Sequence, residues 1–174
     1  MCVIKKILFS LILSLLIVPV YAQKVQDTPW SQLSQVAETR KINFEIDYSK
    51  ADILGEDYAD FVAGDAAWAT DEGEIRSRFI RSFNTEADDG RYPHRLGSYG
   101  ESDVKMLIKI LEVRESGSSV SGLLFLYKEN KLVFIRKVYA EKGRVGSVGN
   151  LMGDAMEVIG ESLGSKFFRH SRGK

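Results

Sequence analysis

An α+β fold is predicted for this chain of 174 residues by three features of its pattern. Residues 42–48 alternate apolar and polar side chains with a period of two. Three further strand-like runs follow one another between residues 104 and 141, separated only by short turns. Two segments, around residues 71–86 and 148–168, instead carry apolar residues at helical spacing. The order is strand, helix, three-strand antiparallel meander, helix. It packs most economically as a mixed four-stranded sheet with the helices on one face.

Residues 1–22 read as an export signal. Lys5 and Lys6 form a positive start, residues 7–20 are almost wholly apolar, and Val20-Tyr21-Ala22 offers a cleavage site that leaves Gln23 first. The apolar run is roughly 14 residues, short of the roughly 20 that a spanning helix needs; an uncleaved anchor is the rival reading. The only cysteine, Cys2, lies inside this leader, so the processed chain has no thiol and no disulfide. It also stands too early to carry a lipid. These features resemble a Gram-negative export signal and imply a periplasmic product, with extracellular release as the alternative. Of 24 basic and 24 acidic residues, the leader removes two lysines and no acid. A chain so nearly neutral lacks the basic footprint of a nucleic-acid binder. Residues 23–40 form a polar lead-in, residues 41–170 one domain and residues 171–174 a basic tail.

Within the lead-in, Thr28-Pro29-Trp30 followed by Leu33 and Val36 suggests a short helix, with Trp30 packed back on the domain. The first strand buries Ile42, Phe44, Ile46 and Tyr48 and leaves Asn43, Glu45 and Asp47 wet. Residues 56–63 offer a helical turn or two around Tyr58, Phe61 and Val62, and Trp68 anchors the interruption that follows. Thr70 or Asp71 caps the next helix, whose first turn holds Asp71, Glu72 and Glu74 where the dipole favours them. Its inward positions are Ile75, Phe79, Ile80 and Phe83. Residues 88–102 form the longest aperiodic segment, and loops of that length are commonly functional.

In the meander, Val104, Met106, Ile108 and Ile110 oppose a mixed face containing Lys105 and Lys109. Residues 120–128 include five consecutive apolar or aromatic residues, Leu123 to Tyr127, which predicts a strand buried on both faces. Glu129-Asn130 makes a tight two-residue turn into the strand of residues 131–141. Ser147 caps the final helix. The far face of the sheet, bearing Asn43, Glu45, Asp47, Lys105 and Lys109, is expected to be wet or covered by a partner.

The final helix carries Gly149, Gly153, Gly160 and Gly164 within an arc of about 60° at 100° per residue. Each glycine costs about 1 kcal/mol relative to alanine in a helix interior, so close packing must offset it. Two readings fit: the glycine face lies on the domain's own sheet, or it receives a partner helix or membrane. Asp154, Glu157 and Glu161 argue against insertion into lipid.

No nucleophile motif, phosphate loop, dinucleotide fingerprint or metal-ligand spacing is present, and no cofactor is implied. The candidate binding residues are Tyr92, His94 and Tyr99 in the long loop and Lys142 and Arg144 before the last helix, where an anion would meet a helix N-terminus. Asp88, Asp89 and His94 are the acid and base of an alternative reading, a small hydrolase or cation-dependent enzyme. Lys166, Arg169, His170, Arg172 and Lys174 around Phe167 and Phe168 complement the helix dipole, or adsorb to an anionic lipid surface.

Two stretches, residues 42–51 (INFEIDYSKA) and the helix of residues 146–164 containing Leu151-Met152-Gly153-Asp154, resemble small exported proteins of Bacteroidota. The architecture is similar to α+β domains of envelope assembly and transport-accessory lipoproteins. This resemblance supplies no active site. The leading reading of the residues is a non-enzymatic periplasmic module that binds an envelope protein or lipid through the 88–102 loop, the glycine face or the basic end.

Overall fold

The computed structural model describes residues 25–89, 94–143 and 145–171. The expected leader and residues 172–174 lie outside the described residues. The strands are β1 (Lys41–Asp47), β2 (Asp52–Ile53), β3 (Glu56–Asp57), β4 (Arg95–Gly97), β5 (Val104–Arg114), β6 (Ser119–Lys128) and β7 (Lys131–Glu141). The α-helices are α1 (Tyr58–Gly64), α2 (Trp68–Asp89) and α3 (Val148–Ser171), with 3-10 helices at Trp30–Val36 and Glu115–Gly117.

The fold is α+β with a mixed sheet, as the patterning predicts, but the sheet has seven strands rather than four. The four expected ones form its body. β1 runs parallel to β5, with Phe44 opposite Met106 and Ile46 opposite Ile108. β5, β6 and β7 form the antiparallel meander, with Leu107 opposite Phe125 and Phe125 opposite Ile135. Glu129 and Asn130 both take left-handed φ, 50° and 62°, as the tight hairpin turn demands. The additional strands are two or three residues long. β2 continues along the edge of β5 that β1 begins, β3 folds back on β2, and β4 pairs with β1 only at Lys41 to Asn43. No periodicity exists over so few residues.

One face of the sheet is dry. Phe44, Met106, Leu126 and Phe134 lie under the helices, and the Phe44 ring stacks on Phe79 of α2 with centroids 4.3 Å apart. β6 is not buried on both faces as its apolar run suggests: Leu124 and Leu126 are buried, while Leu123 and Phe125 are half-buried on the far side. That far face carries the expected polar row, tied by Lys105 to Glu45 at 2.5 Å and Lys109 to Asp47 at 3.8 Å. The lead-in covers the outer edge of β7: Thr28 N–H donates to the Ile135 carbonyl, and Ile135 N–H to Thr28 Oγ1. Together with Lys137 N–H donating to Asp27 Oδ1, this covers the middle of that edge. Trp30 packs on Phe134 at 5.3 Å, under the Arg136 guanidinium at 4.2 Å.

The glycine face of α3 meets α2, not the sheet. A Cβ at Gly149 would sit 2.0 Å from the Asp71 carboxylate and one at Gly153 3.0 Å from Arg78 Cδ. At Gly160 it would sit 2.1 Å from Ser82 Oγ and 2.8 Å from the Phe79 carbonyl, and at Gly164 3.0 Å from the Phe83 carbonyl. The backbones of the two helices therefore touch, as in small-residue helix pairs, but both belong to this chain. The neighbouring stripe of Met152, Ala155, Ile159 and Leu163 is buried in the common core.

The expected loop at 88–102 is also corrected. α2 runs on to Asp89 and β4 occupies residues 95–97. Asn84 clamps that strand, its amide donating to the Leu96 carbonyl at 3.1 Å and its Oδ1 accepting Leu96 N–H at 2.9 Å.

Candidate functional site

After three paired residues β4 leaves β1 at Ser98, so the same edge of β1 continues from Phe44 onward with no strand beside it among the described residues. Arg95 N–H donates to the Arg40 carbonyl, which fixes the alternation: the backbone groups of residues 40, 42, 44 and 46 point toward that edge. α2 forms the opposite wall. The result is an open cleft of about 580 Å³ lined by Phe44, Ile46, Glu72, Arg76, Ser98 and Tyr99, among others.

Arg76 sits at its centre. One nitrogen, Nη2, donates to the Phe44 carbonyl and to Ser98 Oγ, both at 2.8 Å, and the guanidinium lies 5.9 Å from the Phe44 ring centre. Among the described residues five arginines are half-buried: Arg76, Arg78, Arg95, Arg114 and Arg136. Four hold carboxylates: Arg78 those of Glu74 and Asp154, Arg95 that of Asp88, Arg114 those of Asp52 and Glu112, Arg136 that of Asp27. Among the described residues Arg76 makes no such pair. Its own helix offers one, because Glu72 precedes it by four residues, the favoured orientation for an ion pair. Glu74 and Arg78 at the same spacing do pair, at 3.1 Å. Arg76 is turned instead toward β1, and Glu72 is left on the cleft wall with no ion pair among the described residues.

Tyr99 is the one sequence-predicted binding residue that the fold brings to this cleft. Its N–H donates to Asn43 Oδ1 at 2.7 Å, its hydroxyl to the Leu96 carbonyl at 3.4 Å, and Lys41 Nζ lies 5.6 Å from its ring centre. His94 goes elsewhere. Only 2 % exposed, it bonds through Nδ1 to the Thr39 carbonyl oxygen and lies flat on Phe168, with its edge to Phe167. Asp88 is held by Arg95. The acid and base of the enzyme reading thus serve different partners, and a solute reaches the His94 ring only after local opening. Lys142 is exposed and pairs with Glu157 at 3.4 Å. Tyr92, Arg144 and the Asp89 side chain lie outside the described residues. Phe167 and Phe168 at the basic end are buried, so they are not available to a lipid surface.

Arg76, Glu72 and Ser98 were not singled out from the sequence. A Glu and an Arg four apart on a helix read as a solvated ion pair, and only the path of β1 beneath them reveals that the pair is not made.

Two buried polar groups near these elements lead to stability predictions. Burial pushes the His94 imidazole below its ordinary value of 6.5; the Thr39 carbonyl opposes this and the Arg95 charge adds to it. The unfolded chain then binds this proton near pH 6.5 and the folded chain only at lower pH. The stability His94 contributes is complete above pH 6.5 and is lost as pH falls through the folded value. Melting temperature is expected to fall between pH 6.5 and 5, and the fall to shrink in His94→Leu; an unchanged slope in that variant would contradict it. The lowered carboxyls of Asp47 and Asp52 act below this window, since their ordinary value is 3.8.

The Tyr48 ring is 3 % exposed and stacks on Tyr58 at 5.6 Å, but its hydroxyl makes no hydrogen bond among the described residues. Burial pushes this phenol far above its ordinary range, with the nearby Glu72 charge adding to the shift. An unsatisfied buried hydroxyl costs about 1–3 kcal/mol. Tyr48→Phe is therefore expected to raise stability by about 1 kcal/mol in urea denaturation, whereas a loss would reveal a partner for the hydroxyl.

No protein-family model matches the chain, and no curated protein matches it either. Among the described residues no helix is long and apolar enough to cross a membrane, and no three His, Cys, Asp or Glu side chains gather as metal ligands.

Proposed function

We propose that the protein is an exported, non-enzymatic binding module that holds a carboxylate of an envelope protein in the cleft between β1 and α2. The observation that carries this reading is Arg76, the one half-buried arginine described that has no acid of its own. A guanidinium partly withdrawn from water attracts a carboxylate more strongly than an exposed one, and its planar fork can bind both oxygens. Among the described residues its two hydrogen bonds leave from Nη2, and none leaves from Nε or Nη1. Glu45, the strand acid that lines the cleft, is paired with Lys105. The leader and the similarity to exported envelope domains support the compartment.

Acetate is the simplest test. Titrated into the purified protein, it should shift the Arg76 Nε–H resonance saturably while those of Arg78, Arg95, Arg114 and Arg136 stay put; chloride at equal ionic strength should not. A uniform response of all five, or none at Arg76, would rule the site out. N-terminal sequencing of protein recovered from the envelope should give Gln23 first, and an intact Met1 would refute cleavage after Ala22 and favour the uncleaved anchor.

A further inference from the structure

We infer that the ligand of this cleft is an extended peptide segment that adds to β1 as a strand in line with β4, placing an acidic side chain against Arg76 and a basic one two residues away against Glu72. The inference rests on the cleft reading above and specifies its ligand. Three observations carry it.

The first is the edge itself. β4 pairs in parallel with Lys41 to Asn43 and then departs, so the track beside β1 is occupied at one end and open at the other. Backbone groups of even-numbered residues face this track. The Phe44 carbonyl is taken by Arg76, while Ile46 N–H and C=O make no hydrogen bond toward it among the described residues. An amide donor and acceptor side by side on a strand edge are the binding element of strand addition. The middle of the outer edge of β7 is covered by the lead-in; this stretch of β1 is not covered by any described strand.

The second is the charge pattern of the wall. Arg76 approaches Phe44, and Trp68 at the start of α2 packs on Tyr48 at 5.4 Å, so α2 runs against the direction of β1 and sets Arg76 and Glu72 along the open track. Four residues of helix rise about 6 Å, and two residues of extended chain span about 6.6 Å. Side chains i and i+2 of an added strand point to one face, and that spacing presents them to Arg76 and Glu72 together. A single small anion would satisfy Arg76 and leave Glu72 unmatched.

The third is the shape. The cleft is open rather than closed around a small molecule, with Ser98 and Tyr99 at the end where β4 leaves. Tyr99 is held there by Asn43 of β1, which fixes the mouth of the track.

The test uses blocked octapeptides of alternating Thr and Val. One carries Asp and Lys two positions apart, a second carries Asn and Gln in their places, and a third repeats the first with an N-methylated central amide. Binding is followed by amide shifts of the purified protein and by calorimetry. The Asp/Lys peptide is expected to bind at least tenfold tighter than the Asn/Gln peptide, to shift Ile46 and its neighbours most, and to lose binding on N-methylation. Arg76→Gln, whose amide can still donate to the Phe44 carbonyl, and Glu72→Gln should each shrink the advantage of the first peptide over the second without abolishing it, and the double variant should bring the two to within twofold. Equal affinity of the two peptides in the unaltered protein, indifference to N-methylation, or shifts lying outside the cleft would each overturn strand addition. If acetate engages Arg76 while no peptide binds, the carboxylate site stands and the strand inference falls. If neither engages it, both fall.

Discussion

Gly160→Leu is expected to abolish the folded state at growth temperature. Even a single Cβ there would stand 2.1 Å from Ser82 Oγ and 2.8 Å from the Phe79 carbonyl. The serine can rotate, although its hydroxyl is bonded to that same carbonyl at 3.0 Å; the backbone oxygen cannot move without shifting α2. Overfilling a packed core costs about 1–3 kcal/mol per substitution and occasionally more. Four heavy atoms between two touching backbones belong at the upper end, against a total stability of about 5–15 kcal/mol. Gly160→Ala separates the two opposing effects. It gains about 1 kcal/mol of helix propensity but still meets the carbonyl, so a net loss of about 1–2 kcal/mol is expected. Gly73, in α2, has nothing within 4 Å of a built Cβ. Gly73→Ala should therefore gain the propensity without the clash. Circular-dichroism melts and urea titrations of the three variants check the ordering. A stabilised Gly160→Ala would mean that the helices are not in backbone contact. Gly153 should tolerate alanine better, because it faces the end of Arg78 rather than main chain; Gly149 should not, because a Cβ there would lie 2.5 Å from Asp71 Cβ, which the backbone fixes.

Phe79→Ala is expected to cost about 3–5 kcal/mol, the range for emptying a buried phenylalanine site. Phe79 is fully buried, stacks on Phe44 at 4.3 Å and lies 6.3 Å from Phe83. It joins α2 to the strand that forms the floor of the cleft, while its carbonyl lies beneath Gly160. The midpoint of urea unfolding should fall sharply with the slope unchanged. Phe125→Ala, on the half-wet far face, should cost less than half as much. Because Arg76 is one turn away from Phe79, a folded Phe79→Leu variant should also weaken ligand binding in the cleft. Equal losses at Phe79 and Phe125 would show that the two sheet faces are not dry and wet as described.

The parts of this protein that were legible in its sequence are those governed by local periodicity. Ile42, Phe44 and Ile46 alternate with polar residues, and they form a strand with one buried face. Residues 131–141 form the fourth long strand to the residue. Ile75, Phe79 and Phe83 recur at helical spacing, and Ser147 accepts Asn150 N–H at 3.3 Å at the start of α3. Periodicity states which face of an element avoids water. It does not state what lies opposite. The four glycines announced a close approach, but their neighbour is α2 rather than the sheet. His94 looked chemically available in a polar segment, yet that segment folds as β4 and carries the ring into the core. Strands as short as β2, β3 and β4 have no pattern of their own, since pairing with β1 and β5 creates them. The cleft belongs to the same class. Glu72 and Arg76 are an ordinary helical charge pair in the sequence, and it is the Phe44 carbonyl, 32 residues away, that holds Arg76 off its acid.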